Sequence, residues 1–400
     1  MQPLPRLVLS AVLLFAPWSV AQTVEGHFYA EKSKYLVGEP IFVILKIANT
    51  GKRPVWLSFK DNDTICQPIK LEVPGAKSAS ENWGCGIAGD CGSGSTGILP
   101  GGVDLTRHLL NHDFVLDQGG KYHVRGTAHI GVRDSDRYDS PEISEVEVSN
   151  AFEIALVEGK ESELRAALAP LVGQLNSQDL KVRAEAVAAI TDIAPPFMDD
   201  VLIDLSKTTY AYAAIQGLRK ANTVKTRQAL ADLADHDPDS SIRMEALRNL
   251  ARTGDRSYLP VLVRMVRTTK DTDTKTVAAE AGGDLGGTQA TPELLPFVAM
   301  ADANTRLAGT VGLSHTTDRA AVPILIRLLL DSDSSVRENA ANGLLLLTHR
   351  SVLWGTAMSD MTDPQAGITA YQRWSHWWNV NGGTVAIHGM ADCSSPEPLD

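Results

Sequence analysis

The stretch DPDSSIRMEALRNLAR, residues 237–252, returns near the C-terminus as DSDSSVRENAANGLLLLT, residues 331–348, and the arginine inside it marks a period. Aligned on that position, the chain gives Arg183, Ala211, Arg243, Lys275, Arg306 and Arg337, spaced 28, 32, 32, 31 and 31 residues apart. Three residues after each marker stands a small side chain: Ala186, Ala214, Ala246, Ala278, Gly309 and Ala340. Seven after it stands Ile190, Leu218, Leu250, Gly282, Leu313 or Leu344. Offsets of three and seven share one face of a 3.6-residue period, and Val182, Ile242 and Val336 before the marker widen the stripe. A small residue in that stripe lets a neighbouring helix come close, where a leucine would hold the backbones apart. A phrase that recurs about every thirty residues is the mark of stacked supersecondary units.

Each unit reads as helix, tight turn, helix. Pro170, Pro260, Pro292 and Pro323 stand thirteen to fifteen residues before a marker, near the start of a second apolar stretch, where a missing N–H costs least. The Asp and Ser residues of the turns supply acceptors to the next helix's free N–H groups. The arginines Arg183, Arg243, Arg306 and Arg337 read as a structural ladder, each bridging the turn carboxylate of a neighbouring repeat; exposed pairs of this kind contribute about 0–1 kcal/mol each.

The motif D-x-D-x-x-[VI]-R followed by spaced Ala and Leu resembles HEAT-type repeats, specifically the short variety of phycobilin-lyase-type proteins, over roughly residues 160–350. The resemblance implies that the second helix of each pair lines a concave face, into which Glu185, Arg248, Glu338 and Asn342 would look. Ala211 and Lys275 depart from the pattern at the marker. Gly282, Gly283, Gly286 and Gly287 cluster in the fourth repeat; glycine costs about 1 kcal/mol per residue inside a helix, so this repeat is expected to be the weakest and irregular.

The first residues read as a secretory signal, with Arg6, an apolar run from Leu7 to Trp18, and Ser19-Val20-Ala21 before an expected cut after Ala21. Twelve residues reach about 18 Å, short of the ~30 Å hydrocarbon core, which favours cleavage over anchoring. The protein is therefore expected to be periplasmic or secreted, with no integral membrane segment afterwards. Its net charge of −11, with no Lys/Arg cluster, argues against nucleic acid. Cys66, Cys85, Cys91 and Cys393 are even in number, which in an exported chain favours disulfides, with three connectivities open. The spacing of Cys85 and Cys91 lacks the paired pattern of a zinc site.

Upstream of the repeats the texture turns to period two. IFVILKIAN places Ile41, Val43, Leu45 and Ile47 on one face, and RPVWLSF, IKLEV, KYHVRGTAHI and ISEVEVSNAFEIALVE are further strand candidates. Such strands without intervening helices indicate an antiparallel sandwich. YLVGEPIFVILKIANTGKRPV together with LDQGGKYHVRG resembles bacterial immunoglobulin-like domains, and Tyr122 stands at their Gly-x-Tyr position, where the resemblance implies a packing role. GCGIAGDCGSGSTGILPGG has no Gly-Lys-Ser/Thr and reads as a cystine-pinned loop in place of a phosphate cradle.

After the repeats, Tyr371, Trp374, Trp377 and Trp378 place three of four rings on one helical face. A cap over the last repeat is the favoured reading, ahead of a sugar platform or partner hot spot. His108 and His112 are read as solvated. The chain has ten histidines and no His-Glu dipeptide, so the ligand pattern of the HEAT-type di-iron hydroxylases is not carried over. No G-x-S-x-G is present, and neither a cofactor nor a metal is called for.

The expected architecture is multidomain: a signal peptide (1–21), an N-terminal antiparallel β-sandwich of immunoglobulin type (23–158), an all-α HEAT-like solenoid (160–350), and a Trp-rich C-terminal cap and tail (364–400). The expected function is that of a non-enzymatic protein-binding adaptor of the cell envelope. An extracellular protease inhibitor acting through the immunoglobulin-like region, and a bilin-lyase-like enzyme, are the alternatives.

Overall fold

The computed structural model describes residues 24–59, 69–79, 95–137, 140–351, 361–388 and 397–398. The leader and all four cysteines, Cys66, Cys85, Cys91 and Cys393, lie outside the described residues.

Period-two alternation becomes two sheets. One runs β1 (Val24–Ala30), β3 (Phe42–Asn49), β8 (Val103–Leu109), all antiparallel. The other runs β2 (Lys34–Leu36), β11 (Ser144–Val157), β10 (Gly120–Arg133), β4 (Val55–Phe59), β7 (Ser95–Ile98), with β5 (Ile69–Glu72) also on β10. Its pairs are antiparallel except β2 against β11, which is parallel. A small ribbon joins β6 (Lys77–Ser78) to β9 (Phe114–Val115), and α1 (Leu110–Asp113) is a single turn. Phe28, Val43, Leu45 and Ile47 from the first sheet share one core with Val124, Ala128, Ile130, Val146 and Val148 from the second. Gly126 lies beneath the Phe28 ring, where a Cβ would stand 2.4 Å from the nearest ring carbon. Glycine at that point is what lets the two sheets' side chains share the space.

Period 3.6 becomes six helix pairs: α2 (Glu161–Gln174) with α3 (Leu180–Ile193), α4 (Asp199–Leu205) with α5 (Ala211–Ala221), α6 (Val224–His236) with α7 (Ser240–Arg252), α8 (Leu259–Thr268) with α9 (Thr272–Gly286), α10 (Ala290–Leu294) with α11 (Ala303–Ser314), and α12 (Ala321–Leu328) with α13 (Ser334–Thr348). Every marker falls in the second helix of its pair. The small column is buried throughout, with Ala186, Ala214, Ala246, Ala278 and Ala340 fully inaccessible. The seventh-position column is buried as well.

The turns cap as their composition requires. Asp179, Asp239, Asp271, Asp302 and Asp333 each accept from N–H groups of the helix they precede. Helix α5 has no side-chain cap, and it is also the copy with Ala211 in place of Arg. Each marker arginine donates to the carbonyl six residues before it: Arg183 to Ser177, Arg243 to Asp237, Arg306 to Met300 and Arg337 to Asp331. The rungs then differ. Arg243 reaches Asp271 at 3.3 Å, Lys275 reaches Asp302 at 3.7 Å, and Arg306 grips Asp331 with two bonds of 2.8 Å. Arg183 bonds within its own turn. Arg337, nearly buried, donates instead to the carbonyls of Met361 and Thr362, immediately before α14 (Pro364–Asn381).

Three expectations are corrected. The arginine ladder is partial: among the described residues, Arg183 and Arg337 bond backbone carbonyls and bridge no carboxylate of a neighbouring turn. Pro170 is not at a helix start but the tenth residue of α2, whereas Pro260, Pro292 and Pro323 do fall within the first turn of α8, α10 and α12. The fourth repeat is not the irregular one: α9 is an unbroken fifteen-residue helix. Two of its glycines, Gly283 and Gly286, are closely packed. A Cβ on Gly283 would lie 2.3 Å from the Gly312 carbonyl oxygen, so the residue sets how near α11 can come. Irregularity falls instead on α10, where Pro296 opens a 3-10 segment at Leu295–Ala299.

Strands and helices meet at a small apolar contact of Phe42, Leu109 and Ala189 with Leu171 against it. This explains why β3 is buried on both faces near its start. Arg107 lies over the Phe42 ring and bonds both Glu31 (2.7 Å) and Glu185 (2.6 Å).

Candidate functional site

Positions five and nine after the marker lie on the side of the second helices away from the small-residue seam, and polar residues there, joined by Glu245 two positions after its marker, couple one repeat to the next. Lys220 of α5 bonds Asp192 of α3 at 2.5 Å; Gln216 of α5 donates to Glu245 of α7 at 2.6 Å. Arg248 of α7 stands 3.6 Å from Glu280 of α9, and His315, at the end of α11, bonds Asp284 of α9 at 2.9 Å. The result is a polar track across five consecutive second helices.

On this track the candidate partner residues are not equivalent. Glu185 is held by Arg107 of β8 and belongs to the junction with the strands. Arg248 is half-exposed and engaged with Glu280. Glu338 and Asn342 are exposed on α13. Tyr212, one residue after the marker in α5, is 53% exposed on the same helix set. The periodicity reading missed it because that column holds no consistent residue type.

The two histidines set aside as solvated both have carboxylate partners: His108 bonds Asp113 at 2.6 Å and His112 bonds Asp192 at 3.0 Å. The hydrogen bond to Asp192 raises the His112 imidazole above its ordinary value despite partial burial. Burial by itself would raise the Asp192 carboxyl, but His112 and Lys220 together hold it below the ordinary range.

Glu280, Asp284 and His315 form a second kind of cluster, with one ligand-type atom from each lying within 4.8 Å of the others. Glu280 and Asp284 are four apart on α9 and so share a face. His315 is almost fully buried; burial works to lower its imidazole, but the Asp284 hydrogen bond and the charges of Asp284 and Glu280 outweigh it and leave the group raised. Reading the sequence by His-Glu dipeptides could not find these residues. Reading it by repeat columns could, since Asp284 and His315 occupy the same ninth position in successive copies.

At the C-terminus, Trp374 and Trp377 are buried in the core of the helical region, edge to face with centroids 5.5 Å apart, and Tyr371 and Trp378 pack against the same core. Arg319 fixes the end of α14 through the carbonyls of Gly382 and Val385. The two innermost indoles are thus spent on packing and are closed to a ligand.

Residues 200–283 match the family model of HEAT repeats. The chain carries HEAT-like helical repeats. No curated protein sequence matches it. Among solved structures, it is similar to the complex of CpcE and CpcF of phycocyanin lyase from Nostoc sp., at 17% identity and a TM-score of 0.30, covering 52% of this chain and 94% of that one. It is similar to a designed armadillo repeat protein in complex with the peptide (KR)4, at 16% identity and a TM-score of 0.26, covering 44% and 98%. Human deoxyhypusine hydroxylase is a further neighbour at 14% identity and a TM-score of 0.24, covering 52% and 96%.

Proposed function

We propose that this protein is a non-enzymatic, exported scaffold of the cell envelope that holds a protein partner on the face formed by the second helices of its repeats. The observation that carries the reading is the polar track from Asp192 to His315. Its side chains are held in place by partners on the next helix, so they are ordered before anything binds. Beside them lies Tyr212, an exposed aromatic of the kind that anchors interfaces. HEAT repeats over residues 200–283 support the same reading, because stacked repeats offer an extended surface instead of a pocket.

The strand region is read as an immunoglobulin-like sandwich. Supporting this, the Tyr122 hydroxyl donates to the Gln118 carbonyl at 2.9 Å, four residues back near the start of β10, as the tyrosine corner of such domains does. Export is read from the leader, and Edman sequencing of protein recovered from the native envelope should begin at Gln22; retention of residues 1–21 would remove that part of the proposal.

The binding claim is tested with the mature chain and a variant carrying Y212A, R248A, E338A and N342A. A partner captured by the first and identified by mass spectrometry is purified and titrated against both. The expected loss is tenfold or more in Kd; equal affinity for the two would move the interface off this face.

A further inference from the structure

We propose that Glu280, Asp284 and His315 form a site for a divalent transition-metal ion of the zinc class, which would tie the fourth repeat to the fifth. Three features point to it. The donor set is two carboxylates and one imidazole, the oxygen and nitrogen mixture that borderline ions such as zinc take, and it leaves a fourth position open. The geometry is nearly assembled: the three donors lie within 4.8 Å of each other, and the Asp284–His315 edge is already 2.9 Å. A tetrahedral ion with bonds of about 2.0–2.1 Å needs donor spacings of roughly 3.4 Å. Rotation of the Glu280 side chain, which is half-exposed, supplies the remainder. Finally, the glycine that lets α9 and α11 approach also sets where His315 stands. Gly283 sits against the Gly312 carbonyl oxygen and would, with a Cβ, stand 2.8 Å from the Cβ of His315. Any other residue there would push His315 away from the carboxylates.

Arg248 competes for Glu280, its Nε lying 3.6 Å from that carboxylate. A metal ion must draw Glu280 off Arg248. Removing the arginine therefore has a sign that a purely structural polar cluster does not predict: it should strengthen metal binding. Calcium, which takes six to eight oxygen donors, is poorly served by a set containing one imidazole and only two carboxylates.

The test is isothermal titration of the EDTA-stripped full chain with Zn2+ and, separately, with Ca2+. One equivalent of Zn2+ should bind, at least tenfold tighter than Ca2+. E280Q and D284N, both on exposed or half-exposed positions, should each weaken it tenfold or more, and H315N should abolish it. R248A should bind Zn2+ more tightly than the unaltered chain. H388A, which removes an imidazole outside the cluster, should match the unaltered chain. Circular dichroism confirms that each variant is folded, and E280Q and D284N keep the test valid should H315N unfold. No Zn2+ uptake by the unaltered chain, uptake that survives E280Q and D284N, or weaker binding by R248A would overturn the proposal.

Discussion

At the scale of single residues, the marker arginine does more than balance a charge. Arg306 spends its guanidinium on two carbonyls of its own turn, Met300 and Ala301, and on both oxygens of Asp331 in the next, so one side chain fixes two consecutive turns. A lysine offers no planar fork, and R306K should cost about 1–3 kcal/mol by urea unfolding, far more than an exposed ion pair is worth. No change in the urea midpoint would reduce this rung to decoration. Burial would raise the Asp331 carboxyl, yet the Arg306 hydrogen bonds and the Asp333 N–H hold it below its ordinary value; hydrogen bonds from Thr274 and Thr305 do the same for Asp271 and Asp302. Groups whose folded pKa is depressed stabilise the fold above their unfolded value, near pH 4, and that contribution is lost as pH falls through the folded value. The urea midpoint should therefore drop below about pH 4, and less steeply in D331N. An equal slope in D331N would show that Asp331 takes no part. The rungs of Arg243 and Arg306 were legible from the marker column, but that Arg183 and Arg337 turn to backbone carbonyls instead was not, because the partner depends on how each turn packs.

At the scale of elements, α14 shows what ends the stack. Among the described residues no helix pair follows α13; Arg337 bonds the backbone ahead of α14, so the helix with three tryptophans takes the place of a seventh unit. Replacing the buried Trp374 with alanine should cost about 3–5 kcal/mol, whereas H376A on the same helix should stay within about 0.5 kcal/mol. Similar losses from both would mean that the helix is not packed as described. Sequence alone located this helix because its aromatic spacing is helical. It misjudged α9, because four glycines read as loss of propensity when propensity is only a weak prior. What overrides it is a contact between α9 and α11 that no local pattern encodes. Pro170 was misplaced for a related reason: proline marks a first turn only on average, and α2 carries it two-thirds of the way along.

At the scale of the whole molecule, period two and period 3.6 divide the chain into sheets and helix pairs, and both are plain in the sequence. The junction is not. Phe42 and Leu109 look like core residues of strands, and only the fold shows that they meet Ala189 and Leu171 of the first helix pair, with Arg107 taking Glu185 out of the candidate binding face. The proposed binding face was likewise only half legible: the repeat spacing points to Glu338 and Asn342, which are exposed on α13, while the exposure of Tyr212 and the approach of Glu280, Asp284 and His315 to one another depend on how the repeats stack. All of this rests on the small-residue columns admitting the neighbouring helix. Leucine and alanine have similar helix propensities, so a pair of substitutions separates packing from propensity. Ala246 is fully buried in the seam, and Ala188 is exposed on α3. Equilibrium urea unfolding should show A246L destabilised by about 1–3 kcal/mol and A188L unchanged within about 0.5 kcal/mol. If A246L instead unfolds at the same urea concentration as A188L, the second helices do not nest through that column and the stack described here is wrong.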